Sequence, residues 1–131
     1  MPLVDQGKFQ EYYNEKNQIV NEYNAMHQKF FPDGFFNPAY DIFSDFFYEV
    51  DLIFYNAWNC KNNIQGLINV AEIKTTKATE KLQSAYIELN TVIENCKNDF
   101  QTIYDIKKRD GFTPMEITSL ENYHIMNFIH R

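Results

Sequence analysis

Residues 42–71, IFSDFFYEVDLIFYNAWNCKNNIQGLINVA, and residues 78–103, ATEKLQSAYIELNTVIENCKNDFQTI, decide the fold. At helical steps of about 100° per residue, the first stretch puts Ile42, Phe46, Val50, Ile53, Ala57, Cys60, Ile64, Ile68 and Ala71 on one arc. The second continues that arc through Ala78, Leu82, Ala85, Leu89, Ile93, Cys96, Phe100 and Ile103 with little loss of phase. Asn37-Pro38 supplies a helix start, an N-cap residue followed by proline at the first helical position. Beyond it no proline occurs until Pro114, and Gly66 is the one glycine before Gly111. Read literally, this is a single helix of about 70 residues and roughly 105 Å, too long for one compact domain. A break is expected, either at Asn59-Cys60-Lys61-Asn62-Asn63 or at Lys74-Thr75-Thr76-Lys77. The second place is preferred because it leaves two long helices of similar length.

Upstream, residues 5–31 form an amphipathic pattern with Phe9, Tyr12, Tyr13, Ile19, Val20, Tyr23, Met26 and Phe30 on the core face. Lys16 is the one lapse on that face. The pattern ends at Phe31-Pro32-Asp33-Gly34, a sequence suited to a tight turn. Two phenylalanine pairs, Phe30-Phe31 and Phe35-Phe36, flank this turn and are expected to close one end of the core. Downstream, Gly111 stops a helix whose last turn is basic, Lys107-Lys108-Arg109. Thr113-Pro114-Met115-Glu116 then reads as a capping box opening one last helix, with Ile117, Leu120, Ile125, Phe128 and Ile129 on its apolar side. No period-2 alternation and no internal repeat is present. The expected architecture is all-α: a single domain over residues 1–131, an antiparallel helical bundle of about four helices, two of them long.

Charge patterning narrows the function classes. The chain carries 18 acidic and 12 basic residues, a net charge of −6, which argues against direct nucleic acid binding. Between Phe30 and Cys60 stand Asp33, Asp41, Asp45, Glu49 and Asp51 with no Lys or Arg among them. Asp41, Asp45 and Glu49 fall at i, i+4, i+8 of one helix, so they share a face with Tyr48, Leu52 and Tyr55. Uncompensated carboxylates beside tyrosines suit a docking surface for a basic protein partner, because tyrosine supplies contact area and carboxylates supply steering. The plainer alternative is a solvated face, or one paired by lysines from another helix. The expected partner-binding residues are Asp41, Asp45, Tyr48, Glu49, Asp51 and Tyr55.

Catalytic and metal signals are weak. Glu121-Asn122-Tyr123-His124 is a lone Glu-x-x-His, where a di-iron bundle needs two such motifs and two further Glu, so no metal and no cofactor is expected. Cys60 and Cys96 lie on the apolar arc as small hydrophobes, and the spacing of the two matches neither a metal nor a redox motif. No glycine-rich phosphate loop and no nucleophile elbow occurs. The start, Met1-Pro2-Leu3-Val4-Asp5-Gln6-Gly7-Lys8, lacks the apolar run of a secretory signal, and the most apolar uncharged stretch, Leu52 to Cys60, is too short for a membrane span. The expectation is a cytoplasmic, non-enzymatic binding protein that neutralises a macromolecular partner, as immunity proteins, antitoxins and anti-defence inhibitors do. The second expectation is an assembly subunit or accessory chaperone acting through helix pairing, a homodimer included. A carboxylate metal protein is a distant third.

Overall fold

In a computed structural model that describes residues 6–36, 45–70 and 77–129, five helices and no strand are found among the described residues. They are α1 (Gln6–Phe30), α2 (Phe47–Val70), α3 (Lys77–Asp110), α4 (Pro114–Leu120) and α5 (Met126–Ile129). The all-α bundle is thus as expected, but three helices are long, at 25, 24 and 34 residues. The expected helix start at Asn37-Pro38, with Asp41 and the arc residues Ile42 and Ala71, lies outside the described residues.

Side-chain register fixes the topology. Phe47 packs on Phe100 with ring centroids 4.6 Å apart, and Lys61 Nζ lies 5.8 Å from the Tyr86 ring. Fourteen residues forward on α2 therefore match fourteen backward on α3, and the two helices are antiparallel. Cys60 Sγ donates to Tyr12 O at 3.6 Å and Phe30 meets Phe46 at 5.1 Å, so α1 and α2 are antiparallel as well. Lys16 pairs with Glu88, and Tyr23 with Asp99, which makes α1 run with α3. The result is an up-down-up three-helix bundle. Asn59 to Asn63 lie inside α2, so the reversal falls between Val70 and Lys77. Lys77 opens α3, while Lys74, Thr75 and Thr76 lie outside the described residues.

The apolar arcs meet along the bundle axis. Phe46, Phe47, Val50, Ala57, Cys60 and Ile64 of the first stretch, and Leu82, Ala85, Leu89, Cys96, Phe100 and Ile103 of α3, are fully buried. At one end Phe30, Phe31 and Phe36 close over Phe46. Phe35 departs from that expectation and points outward, 80% exposed. Gly34 occupies a left-handed backbone conformation (φ 83°) that only a glycine-like residue adopts without strain in this turn. Lys16, the lapse in the α1 pattern, is buried at 3% exposure. Its Nζ sits 2.8 Å from Glu88 Oε2 on α3 and 4.4 Å from the Tyr13 ring centre, so the buried ammonium is held by an anion and a π face.

Helix α3 overhangs its neighbour, since α2 begins opposite Phe100 and α3 continues to Asp110. The C-terminal segment covers that overhang. Gly111 (φ 106°) turns the chain, with its N–H donating to Lys107 O at 2.7 Å. Thr113 then caps α4 as expected: Glu116 N–H donates to Thr113 Oγ1 at 3.2 Å and Thr113 N–H to Glu116 Oε1 at 2.9 Å. That N–H, together with Lys107, holds the Glu116 carboxyl below its ordinary value.

The expected single last helix is broken after Leu120. In a continuous helix Ile125 N–H would donate to the carbonyl of Glu121. Here it donates at 2.9 Å to Oδ1 of Asp51 on α2. Tyr123 N–H and Met126 N–H make shorter i→i−3 bonds to Leu120 O and Tyr123 O, which tighten the chain into turns on either side. The turn carries Ile125 into the core with no exposed surface and seats Phe128 against Phe54 and Trp58 at 5.1 and 4.9 Å.

Candidate docking surface

The outward face of α2 is built by residues that the bundle has no use for. Tyr48, Leu52 and Tyr55 stand at i, i+4 and i+7 and are 59%, 46% and 41% exposed. Asp45 is exposed at the near end of this row and makes no ion pair with a described residue. Tyr55 is held in place by its neighbour, its ring stacked on His124 at 4.3 Å and 28°. A large side chain fixed in this way presents area to a partner with little ordering cost.

Two of the expected charge-row residues are placed differently. Asp51 is buried, 8% exposed, and its carboxylate is committed within the fold to Ile125 N–H and to His124 Nδ1, 3.3 Å from Oδ2. The helical wheel puts Asp51 about 60° from Tyr48 toward the C-terminal segment, so it leaves the exposed row. Glu49 is paired across helices with Lys29 of α1, Nζ to Oε1 3.2 Å. Asp41 lies outside the described residues. Of the six expected residues, the structure therefore brings Asp45, Tyr48, Glu49 and Tyr55 to one face and takes Asp51 into the interior.

In exchange α1 contributes carboxylates that the charge count along the chain did not single out. A groove of 410 Å³ runs between α1 and α2, lined by Glu22, Ala25, Met26 and Lys29 on one side and Glu49, Leu52 and Ile53 on the other. Next to it lies a hollow of 230 Å³ lined by Glu15, Gln18, Ile19, Glu22 and Asn56. Burial raises the Glu15 carboxyl above its ordinary value, and the nearby Glu11 charge raises it further. The spacing Glu11, Glu15, Gln18, Glu22 is one helical stripe, and it was the signal available in the sequence. Together the two helices present carboxylates on both banks of an apolar groove, flanked by the tyrosine row. No known family, curated protein or solved structure matches this chain. The chemistry of this face must therefore be read from its own residues.

Two Asp–His pairs, each a buried carboxylate with a partly exposed imidazole, tie these helices to the rest of the fold. Tyr23 Oη donates to Asp99 Oδ2 at 2.8 Å, and His27 Nδ1 lies 2.7 Å from the same oxygen. Burial and this hydrogen bond push the Tyr23 phenol well above its ordinary range, so it stays a donor. His124 and Asp51 form the second pair. Each links two chain segments: α1 to α3, and the C-terminal turn to α2. Cys96 is fully buried, within the field of both carboxylates, and its thiol is pushed upward chiefly by burial. The Cys60 thiol is pushed up to about 12, first by burial and then by the Glu15 charge. Both thiols are therefore protonated and unreactive at neutral pH. Glu121 and His124 both lie in the turn segment between α4 and α5 and so do not share a helix face. No cluster of three or more His, Cys, Asp or Glu suited to a metal ion occurs among the described residues. No described helix is long and apolar enough to cross a membrane.

Proposed function

We propose that this chain is a binding protein that covers a basic surface of a protein partner and thereby blocks that surface. The exposed row Tyr48, Leu52 and Tyr55, set beside Asp45 and the acid-banked groove of Glu22 and Glu49, carries the reading. Tyrosine and leucine give the desolvated centre such a contact needs, and the carboxylates around them give orientation and a fast approach. A basic groove that handles nucleic acid is a natural target, since a rigid row of carboxylates can stand where phosphates would lie. Inhibition follows from occupancy alone and asks for no chemistry from the chain.

The test is affinity capture with the intact chain, followed by identification of the bound protein by mass spectrometry. A paired capture uses Asp45→Lys with Tyr48→Ala, both fully outside the core. The reading expects one partner enriched on the native chain and lost on the variant. A partner retained equally by both would remove this face from the account.

A second reading has one observation of its own. Met115 and Ile117 of α4 are 78% and 47% exposed, an apolar end that helix pairing with another copy would cover. It expects a molecular mass that rises with concentration and returns to the monomer on Met115→Glu.

A further inference from the structure

We infer that the groove between α1 and α2 is a slot for an arginine side chain of the partner, whose guanidinium replaces Lys29 on Glu49. The inference rests on the docking surface proposed above and names what enters it. Two features of the groove fit this occupant together. Its floor is apolar, built from Ala25, Met26, Leu52 and Ile53, as an aliphatic stem requires. Its banks carry Glu22 on α1 and Glu49 on α2, as a cationic head requires. At 410 Å³ the space is within the range of ~300–1,000 Å³ usual for ligand pockets.

The molecule already shows that this spot holds a cation. Lys29 Nζ lies 3.2 Å from Glu49 Oε1, in a pair whose side chains are 41% and 38% exposed. A pair so open to water is weak and easily exchanged. An incoming arginine can do better than the lysine it displaces. Its planar fork can engage a carboxylate through two N–H donors, and a guanidinium gives up water more readily than an ammonium when it lies against an apolar floor. The neighbouring hollow adds negative charge beside the slot, because Glu15 and Glu22 line it and the Glu11 charge acts on Glu15.

The experiment follows the methyl resonances of Met26, Leu52 and Ile53 in the intact chain during titration with a short amphipathic peptide bearing leucine and arginine. The same peptide with citrulline in place of arginine is the uncharged control. The slot expects saturable shifts at all three methyls with arginine and at least about tenfold weaker binding with citrulline. Lys29→Met, which keeps the stem and removes the competing ammonium, should bind the arginine peptide about two- to fivefold tighter. Glu49→Gln should bind it more weakly. Equal binding of the two peptides, or no gain from Lys29→Met, would overturn the slot. If Tyr48 and Tyr55 respond while Met26 and Ile53 do not, the slot falls and the wider docking face stands. If the free chain self-associates through Lys108 and Arg109, and those residues shift the same methyls, the occupant is a second copy and the partner assignment is overturned.

Discussion

The Asp51 carboxylate accepts the backbone N–H of Ile125 at 2.9 Å, across a sequence separation of 74 residues. This one bond ends a helix that local sequence would have continued, and it ties the C-terminal turn to α2. It also sets the position of His124, and through the stacked ring the position of Tyr55 on the outward face of α2. Asp51→Ala leaves a buried N–H without an acceptor, a loss of about 1–3 kcal/mol. Denaturant unfolding should show that loss, and amide exchange at Ile125 and Met126 should accelerate. Asp51→Asn keeps an acceptor oxygen and should lose less.

The pair of buried Lys16 and half-exposed Glu88 makes an asymmetric prediction. Glu88→Gln removes the anion and strands an ammonium that is 4% exposed at its side chain, whereas Lys16→Met removes the charge and keeps the stem. Because Glu88 is about half exposed, its removal is discounted from the full buried-pair loss to about 1–2 kcal/mol. Lys16→Met should stay within about 1 kcal/mol of the native chain or exceed it. Equal destabilisation by both variants in chemical denaturation would contradict this arrangement.

These two sites also mark how far the sequence could be read. The core faces of α1 and α3, the Thr113 capping box and the Gly111 stop follow from local spacing and local chemistry, and all appear in the structure. Lys16 reads as a lapse because its partner lies 72 residues away, on a helix whose register spacing alone does not give. Asp51 shares the composition of the acidic row, and only the docking of Ile125 sets it apart. The break after Leu120 is invisible for the same reason, since Glu121 to Ile129 keeps a helical pattern until a tertiary acceptor outcompetes the local one. Of the proposed docking face, the α2 half was legible as a helical stripe. The α1 half required knowing that Glu22 and Glu49 would face each other.

Glu15 gives the pH dependence its sign. Its folded value is raised, so the group contributes stability below the ordinary carboxylate value of 4.5 and loses it as pH rises through the folded value. Glu15→Gln should therefore be more stable than the native chain at neutral pH, by less than about 1 kcal/mol because the group is largely solvated. Below about pH 4 the two should converge. Thermal melts across that interval check it, and a variant less stable at neutral pH would contradict the crowding of carboxylates on this bank.

The thiols give a simple chemical check. With the Cys60 thiol pushed up to about 12 and Cys96 fully buried, neither should react with a thiol reagent at neutral pH until the bundle opens. The native chain should label at the slow rate of opening and the denatured chain at once, with both cysteines modified. Rapid labelling of the native chain would contradict the packing of α1 against α2 at Tyr12 and Cys60.

The central claim is that the face of Asp45, Tyr48, Leu52 and Tyr55, with the groove beside it, is where a basic partner binds. Titration calorimetry of the captured partner against the native chain and against Asp45→Lys with Tyr48→Ala tests it most directly. The account predicts at least about a thirtyfold loss of affinity, the size of one interface hot spot, with an unchanged melting temperature because both side chains are outside the core. Unchanged affinity in the variant would contradict it.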